Sequence, residues 1–430
     1  MTSRAFKAAG EDDAPSSVPE AGPAPDRMTG PVRGPARVGL VLLLGSLVAI
    51  GPLTSDMYLP AFPAMGRELG ASASGIQLTL AGALIGLALG QLLVGPLSDA
   101  VGRRRPLLAG IGVHVLASLA CAWAPNLAVL DVLRVIQGLG CATSTVITMA
   151  IVRDLYQGDE AAVVLSRLML VLGISPILAP TLGGVVLTQT SWRGIFVVLA
   201  VASVAIAAIT AAVLPETLPA QNRRRGGAGG TLRDFRQLLH DRVFIAYILV
   251  AGLAMCAIFG FVAGSPYVFQ DRFQMSEQTF GYVFGAGSIC VVIGTQLNAL
   301  LLRTRSPQHI LRRALTMAAG FSVLLLAAGV SGQGGLWAVL LPLWGTLTAT
   351  GFVMPNAPAL ALSRHGQFAG TAAALLGAVQ FGVGAVAAPL VGMIGTGTTA
   401  MATVIAGGLI LAVTVLLTTE SRTATPAEQP

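Results

Sequence analysis

The chain has 430 residues, of which 54% are hydrophobic and 10% charged, against roughly a quarter charged in an ordinary soluble domain. Soluble cores stop growing at about 250 to 300 residues, so this apolar content, with a mean hydropathy of +0.77, excludes a soluble globular protein and points to an integral membrane protein. The net charge of +7 does not point to nucleic acid, because the basic residues lie in short connections between apolar runs, where they report orientation.

Of the 26 basic residues only Lys7 is a lysine, and a Walker-type phosphate loop needs a Lys after its glycines; no nucleotide site of that kind is expected. Cys121, Cys141, Cys256 and Cys290 fall inside apolar runs without metal-ligand spacing. Each reads as a small hydrophobe, and no metal site is expected.

Residues 1–36 are rich in Pro, Ala, Gly and acidic residues and hold no apolar stretch able to act as a signal segment, so they read as a disordered cytoplasmic tail. A spanning helix needs about 20 apolar residues. Runs of that kind lie near 38–64, 73–97, 106–124, 127–151, 161–188, 194–214, 243–268, 278–302, 309–331, 335–356, 367–392 and 397–418. The expected fold is therefore all-α: a polytopic membrane protein with twelve transmembrane helices in two pseudo-symmetric six-helix bundles. The expected divisions are an N-terminal bundle over 37–214, a cytoplasmic linker over 215–242, a C-terminal bundle over 243–418 and a tail over 419–430.

Alternate connections differ in Arg content. Those after the second, fourth, sixth, eighth and tenth helices carry Arg103 to Arg105, Arg153, Arg223 to Arg242, Arg303 to Arg313 and Arg364, whereas the others carry only Arg67, Arg193 and Arg272. The positive-inside bias places the even connections and both termini in the cytoplasm, with the protein a multi-pass component of the cell inner (plasma) membrane. The longest connection holds Gly226, Gly227, Gly229 and Gly230 and reads as a flexible linker, with a short amphipathic surface helix over 231–242. Ala179-Pro180-Thr181-Leu182-Gly183 recurs 209 residues later as Ala388-Pro389-Leu390-Val391-Gly392, and Gly90 is echoed by Gly294. A duplicated six-helix unit is the plan of two-bundle carriers, with substrate near the midplane between the halves.

Ionisable groups inside a membrane are costly and therefore informative. Four stand out: Asp56 in helix 1, His114 in helix 3, and Asp131 and Arg134 in helix 4. Asp56 and Arg134 each lie about eight residues inside the outer end of their helices, ~12 Å deep at about 1.5 Å per residue, so they can meet across the N-terminal bundle. Burial favours the neutral carboxyl and a nearby Arg the ionised one, a balance that suits a proton-coupled carrier. Two other arrangements stay open: Asp56 capping an early helix end, and Arg134 pairing with Asp131 three residues before it. His114 is assigned no role.

In helix 5, Gly173, Pro176, Pro180, Gly183 and Gly184 combine close-packing small residues with helix-kinking prolines, which suits a moving interface. A substrate cavity is expected from Tyr58, Tyr267, Gln270, Gln296, Asn356 and Gln380, with aromatics such as Phe259, Phe261 and Phe284 among them. Such a pocket fits a lipophilic small molecule.

Gly95-Pro96-Leu97-Ser98-Asp99-Ala100-Val101-Gly102-Arg103-Arg104-Arg105 resembles the helix 2/3 loop motif of the major facilitator superfamily, and Leu133-Arg134-Val135-Ile136-Gln137-Gly138-Leu139-Gly140 resembles the helix 4 motif of its proton-coupled members. The stretch from Gly173 to Gly184 is similar to its antiporter motif. Asp56-Met57-Tyr58-Leu59-Pro60-Ala61-Phe62-Pro63 is similar to the helix 1 signature of the bicyclomycin/chloramphenicol-resistance (Bcr/CflA) branch of its twelve-helix drug:proton antiporters. The resemblance covers helices 1 to 6 and fades beyond them. It implies that Asp56 binds the proton and Arg134 modulates it, and that Gly95, Asp99, Gly102, Arg103 and Arg104 form a cytoplasmic latch between the halves. The expected activity is proton-coupled multidrug or antibiotic efflux by alternating access, without cofactor and driven by the proton gradient. The expected partners are a lipophilic drug, protons and the lipid bilayer, for a chain acting as a monomer and not as an enzyme. An uptake symporter for a small metabolite is the alternative on the same fold.

Overall fold

The computed structural model describes residues 35–223, 228–363 and 369–424. Residues 1–34 of the expected N-terminal tail, half of the expected 419–430 tail, and Gly226 and Gly227 of the linker lie outside the described residues. Of two compact units, Met1–Gly39 and Leu40–Pro430, the second holds the packing that concerns function. Among the described residues twelve helices are long and apolar enough to cross a membrane: α1 (Pro35–Asp56), α2 (Ala73–Val101), α3 (Arg104–Ala122), α4 (Leu127–Leu155), α5 (Gly158–Leu187), α6 (Trp192–Val213), α7 (Arg242–Pro266), α8 (Glu277–Leu301), α9 (Pro307–Ser331), α10 (Gly335–Leu362), α11 (Ala369–Ile394) and α12 (Thr398–Ala424).

Several starts are set by side-chain caps, which satisfy otherwise orphaned N–H groups. Ser72 accepts from Gly75 N–H before α2, Asn126 from Val129 N–H before α4, and Asp241 from Val243 N–H before α7. The linker contributes a helix over Ala228–His240, earlier than the expected 231–242, so Gly229 and Gly230 are helical and not part of a flexible coil. The last helix runs to Ala424, five residues past the expected start of the tail.

Helix 1 departs most from expectation. Instead of one run to residue 64, α1 stops at Asp56, a 3-10 turn spans Leu59–Ala61, and a second helix covers Phe62–Leu69. The cause is Pro60: in a continued helix its N–H would bond the Asp56 carbonyl, and proline has none. The first helix of the other half breaks in the same way, α7 ending at Pro266 and continuing as a wider turn over Tyr267–Arg272. The two prolines are 206 residues apart, in step with the internal repeat.

Glycines set the spacing within each half. A Cβ on Gly86 of α2 would overlap the Val135 carbonyl of α4, and one on Gly138 of α4 would overlap that of Ala83. In the second half Gly294 of α8 lies equally close to the Thr348 carbonyl of α10, and Gly351 to that of Val291. Such small-residue contacts replace the hydrophobic drive that lipid does not supply. Between the halves α2 packs on α11 and α5 on α8. Leu89, Leu93 and Leu97 of α2 recur at helical spacing on its exposed side, as a lipid-facing stripe should.

Gly138→Val inserts three carbons where backbone meets backbone. It is expected to cost about 1–3 kcal/mol, read as a lower midpoint of thermal unfolding in detergent; an unchanged midpoint would mean that α2 and α4 do not pack this closely.

Candidate functional site

Arg134 is fully buried and turned into the first half by α4. The break after Asp56 leaves carbonyls at the end of α1 without helical donors, and both terminal nitrogens of Arg134 donate to the carbonyl of Thr54 at 3.2 Å. Its Nε donates to the Thr79 carbonyl of α2 at 3.2 Å, and Nη1 to Gln137 Oε1 one turn on. The guanidinium also lies over the Tyr58 ring, 4.3 Å from its centroid. A cation at a helix C-terminus is favoured by the helix dipole, so the end of α1 holds Arg134 and works against a negative charge on Asp56.

From Arg134 a hydrogen-bonded chain crosses the bundle. Gln137 Nε2 donates to Ser118 Oγ (2.7 Å), which donates to the His114 carbonyl (2.7 Å). The His114 ring joins Thr54 Oγ1 (2.9 Å) to Ser203 Oγ of α6 (3.0 Å). The histidine to which the sequence assigns no role therefore ties α1, α3 and α6 together.

Asp56 is buried and accepts a 2.8 Å hydrogen bond from Ser55. The structure brings Asp56 and Arg134 into one compartment, but the guanidinium bonds carbonyls, and Asp56 forms no ion pair with a described residue. Asp131 does not pair with Arg134 either; its Oδ1 is buried without a partner among the described residues. Asp56 is the last residue of α1 and not a residue eight positions inside a continuous helix.

At the end bearing the arginine triplet, Arg103 is the hub. Its Nη1 contacts Asp99 at 2.6 Å and Ser98 Oγ at 2.7 Å, and its Nε contacts Asp154 at 2.9 Å. Burial alone would favour a neutral Arg103, but the bonds to Asp154 and Asp99 win and shift its pKa upward. Glu216, just beyond α6, accepts from the backbone N–H of Arg103 (2.8 Å), Arg104 (3.3 Å) and Leu218 (3.1 Å). Its carboxylate thus caps the start of α3. Partial burial pushes its pKa up, but the N–H donors and Arg223 outweigh that and hold it below the ordinary glutamate range. Gly102 has φ +106, and a Cβ there would meet the Glu216 carboxylate, so the turn requires glycine. Arg104 donates to the Ala211 carbonyl at 2.6 Å.

These partners belong to the first half or, for Glu216 and Leu218, to the chain directly after α6. The expected clamp between the halves is not formed by Asp99 here, because Arg103 four residues on reaches it first. Across from Asp99 lies a cavity of about 470 Å³, lined also by Gly95, Gln91 and Met149 of the first half, Thr371 of α11 and Phe235 of the linker helix.

Gly173, Gly183 and Gly184 of α5, with Pro176 and Pro180, lie along a close passage. Gly183 abuts the Met57 carbonyl and Gly184 the Glu277–Gln278 backbone of α8, while Gly281 of α8 meets Pro180 and Thr181.

The six expected substrate-cavity residues take different positions in the structure. Tyr58, Tyr267 and Gln270 gather at the break in helix 1: Tyr58 bonds Thr79 Oγ1 (3.2 Å), Gln270 donates to the Pro60 carbonyl (3.1 Å), and Tyr267 packs near Phe62 with its hydroxyl unpartnered among the described residues. Asn356 Nδ2 donates to Asn298 Oδ1 at 2.6 Å, which ties α10 to α8, and to the Phe352 carbonyl at 2.8 Å. Gln296 is exposed, in line with exposed Ile289, Ile293 and Leu300, because the helical period carries it to the outer side of α8. Gln380 is half-buried, and none of the six lines the 470 Å³ cavity. Sequence reasoning missed Thr54, Gln77, Gln137, Asp154 and Glu216. Gln137 stood inside the quoted helix 4 motif and Glu216 directly after the sixth apolar run, but both are visible only if polar residues are weighed by neighbours and not by charge.

The model of the Major Facilitator Superfamily matches residues 44–389: the chain belongs to that superfamily. An uncharacterized MFS-type transporter of Bacillus subtilis is 36% identical over 355 residues, covering 82% of this chain and 88% of the relative. A chloramphenicol resistance protein of Pseudomonas aeruginosa is 32% identical, covering 80% of this chain and 81% of the relative, in keeping with the branch to which the helix 1 motif points. In three dimensions the xylose transporter XylE from E. coli, in a partially occluded inward-open conformation, superposes with a TM-score of 0.69 over 91% of this chain and 99% of that one, at 12% identity.

Glu216→Gln removes the anionic cap. The folded carboxyl is depressed, so its stabilising effect is present above the ordinary glutamate range and is lost as pH falls below it. Unfolding midpoints measured from neutral to acidic pH are expected to fall more steeply for the parent than for the variant across that window; parallel curves would contradict the cap.

Proposed function

We propose that this chain exports lipophilic, antibiotic-like small molecules in exchange for protons, by rocking its two six-helix bundles about a central site. The observation that carries the reading is the pairing of a buried carboxyl without an ion-pair partner among the described residues, Asp56, with a buried guanidinium held on backbone carbonyls, Arg134. A neutral Asp56 leaves Arg134 on Thr54 and Thr79. Loss of the proton creates an anion beside that cation, and the attraction draws the guanidinium from the carbonyls. Proton occupancy then selects between two arrangements of α1, α2 and α4, which is what coupling requires. A drug that reaches this group, or reorders Arg134, competes with the proton.

The arginine-rich end is cytoplasmic, as are both termini, by the positive-inside bias. The cavity at that end is the entry for substrate from the cell, and its mixed lining of Met149, Phe235 and Gln91 suits an amphipathic or lipophilic compound. Asp99 and Arg103 govern which way the carrier faces: in the alternate state the cavity closes and brings α11 against Asp99. The α5–α8 contact, built from glycines, lets the halves slide without prying side chains apart. The proton gradient supplies the energy, and the unit of function is the monomer. The name of one relative, the chloramphenicol resistance protein, supports this substrate class.

Cells expressing the chain are expected to survive higher chloramphenicol concentrations than control cells, and to lose that protection when the proton gradient is collapsed. Asp56→Asn should reduce export to the level of cells without the protein while leaving its yield and unfolding midpoint near the parent's. Undiminished export by Asp56→Asn would refute the mechanism.

A further inference from the structure

Gln77 of α2 is fully buried, and its amide joins three helices. Nε2 donates to the Ala263 carbonyl of α7 at 2.8 Å, and Oε1 accepts from the Gly392 N–H of α11 at 2.7 Å. The Ala263 carbonyl is open to an outside donor because α7 ends at Pro266 and the N–H of Tyr267 turns to Gly264. At Gly392 any side chain would overlap Gln77 Oε1 and the backbone of Ser74. Among the described residues, the side-chain hydrogen bonds that join the two halves are these two and that of Gln270 to Pro60. All three lie at the end opposite the arginine-rich cavity.

Two residues along α2 from Gln77 is Thr79. Its carbonyl accepts from Arg134 Nε, and its hydroxyl bonds Tyr58. One rigid stretch of helix therefore carries both the tether to the buried cation and the clasp between the halves. We propose that Gln77 is the positioning residue through which the Asp56–Arg134 site sets closure of α2 against α7 and α11. With Asp56 neutral, Arg134 holds α2 seated and the clasp is made. With Asp56 ionised, Arg134 leaves Thr79, α2 shifts, and both Gln77 bonds are lost together because one amide makes them. The inference rests on the proton-coupled reading of Asp56.

The titratable and charged groups around this centre are Tyr58 on the same segment, His114 and Cys121 on α3, Asp131, Arg134 and Cys141 on α4, and Tyr267 with Asp271 beyond α7. The contacts from α2, α5 and α6, namely Thr79, Gly183 and Ser203, carry no charge. Of these groups Arg134 bonds the Thr79 carbonyl, so its attraction to Asp56 is the one that changes that tether.

The test places spin labels across the clasp, at Ala73→Cys and Thr396→Cys in a Cys290→Ala background, and reads their distance distribution from pH 5 to pH 9 in the full-length protein. The parent is expected to show a short distance at acidic pH and a growing long-distance fraction as pH rises, and Asp56→Asn the short distance throughout. Gln77→Met, of similar length but unable to make either bond, is expected to show the long-distance fraction already at acidic pH and a flattened pH response. Gly392→Ala, which leaves Gln77 in place but fills the space its oxygen occupies, should do the same, so the outcome does not hinge on one variant folding. If the parent responds to pH and both variants match it, the role of Gln77 is overturned and the proton reading stands. If parent and Asp56→Asn are alike at every pH, the proton reading falls and the inference with it.

Discussion

The burial of one guanidinium organises the first half of this carrier. Taking a cation out of water costs several kcal/mol even after relaxation. The structure offsets that cost with carbonyls of two helices, an amide on a third position and the face of Tyr58. Bonds to a charged group are worth about 1.5–3 kcal/mol each, so several are needed, and each restricts what the sequence can do nearby. Helix 1 must break to free the Thr54 carbonyl, Pro60 ensures that it does, and Gln137 must itself be held, which brings in Ser118 and the backbone of His114. Two carboxyls, Asp56 and Asp131, lie close to the cation without pairing with it. That leaves a charge whose partner is not settled by the fold, and a proton or a substrate can settle it.

Around this node the chain divides labour between its two ends. At the arginine-rich end, Asp99, Arg103, Asp154 and Glu216 bind the start of α3 to α2, α4 and the chain beyond α6. These bonds stay within the first half and the chain that leaves it, so they tie that half into one body with a cavity beside it. At the opposite end a few hydrogen bonds to backbone cross between the halves. Two packed bodies whose side-chain hydrogen bonds to each other are few can exchange one arrangement for another, which is the property that switching needs. Glycine contacts along α5 and α8 complete the picture, because surfaces without protruding side chains can slide.

Much of this was legible in the amino-acid sequence, and what was not has a physical reason. Run length and composition placed the twelve spans because lipid demands continuous apolar helix, and the motif from Gly95 to Arg105 announced the turn it forms. Asp56 and Arg134 stood out because charge is scarce in the membrane. Their relation was harder: depth counted along an unbroken helix says only that the two can meet, whereas Pro60 ends α1 at Asp56 and hands Arg134 a carbonyl. Gln77 and Thr54 were invisible because an uncharged polar residue in an apolar run carries no signal until its neighbours are known. Polarity does not tell which side of a helix a residue takes: Gln296 is exposed, and Asn356 donates to Asn298.

The central claim, that proton and drug compete through Asp56 and Arg134, is tested most directly by titrating purified protein in weakly buffered detergent solution with chloramphenicol and recording the pH. The account predicts a release of protons that saturates with drug, is largest at acidic pH where Asp56 is occupied, and is absent in Asp56→Asn. Saturable chloramphenicol binding with no proton release from the parent, or with undiminished release from Asp56→Asn, would contradict it.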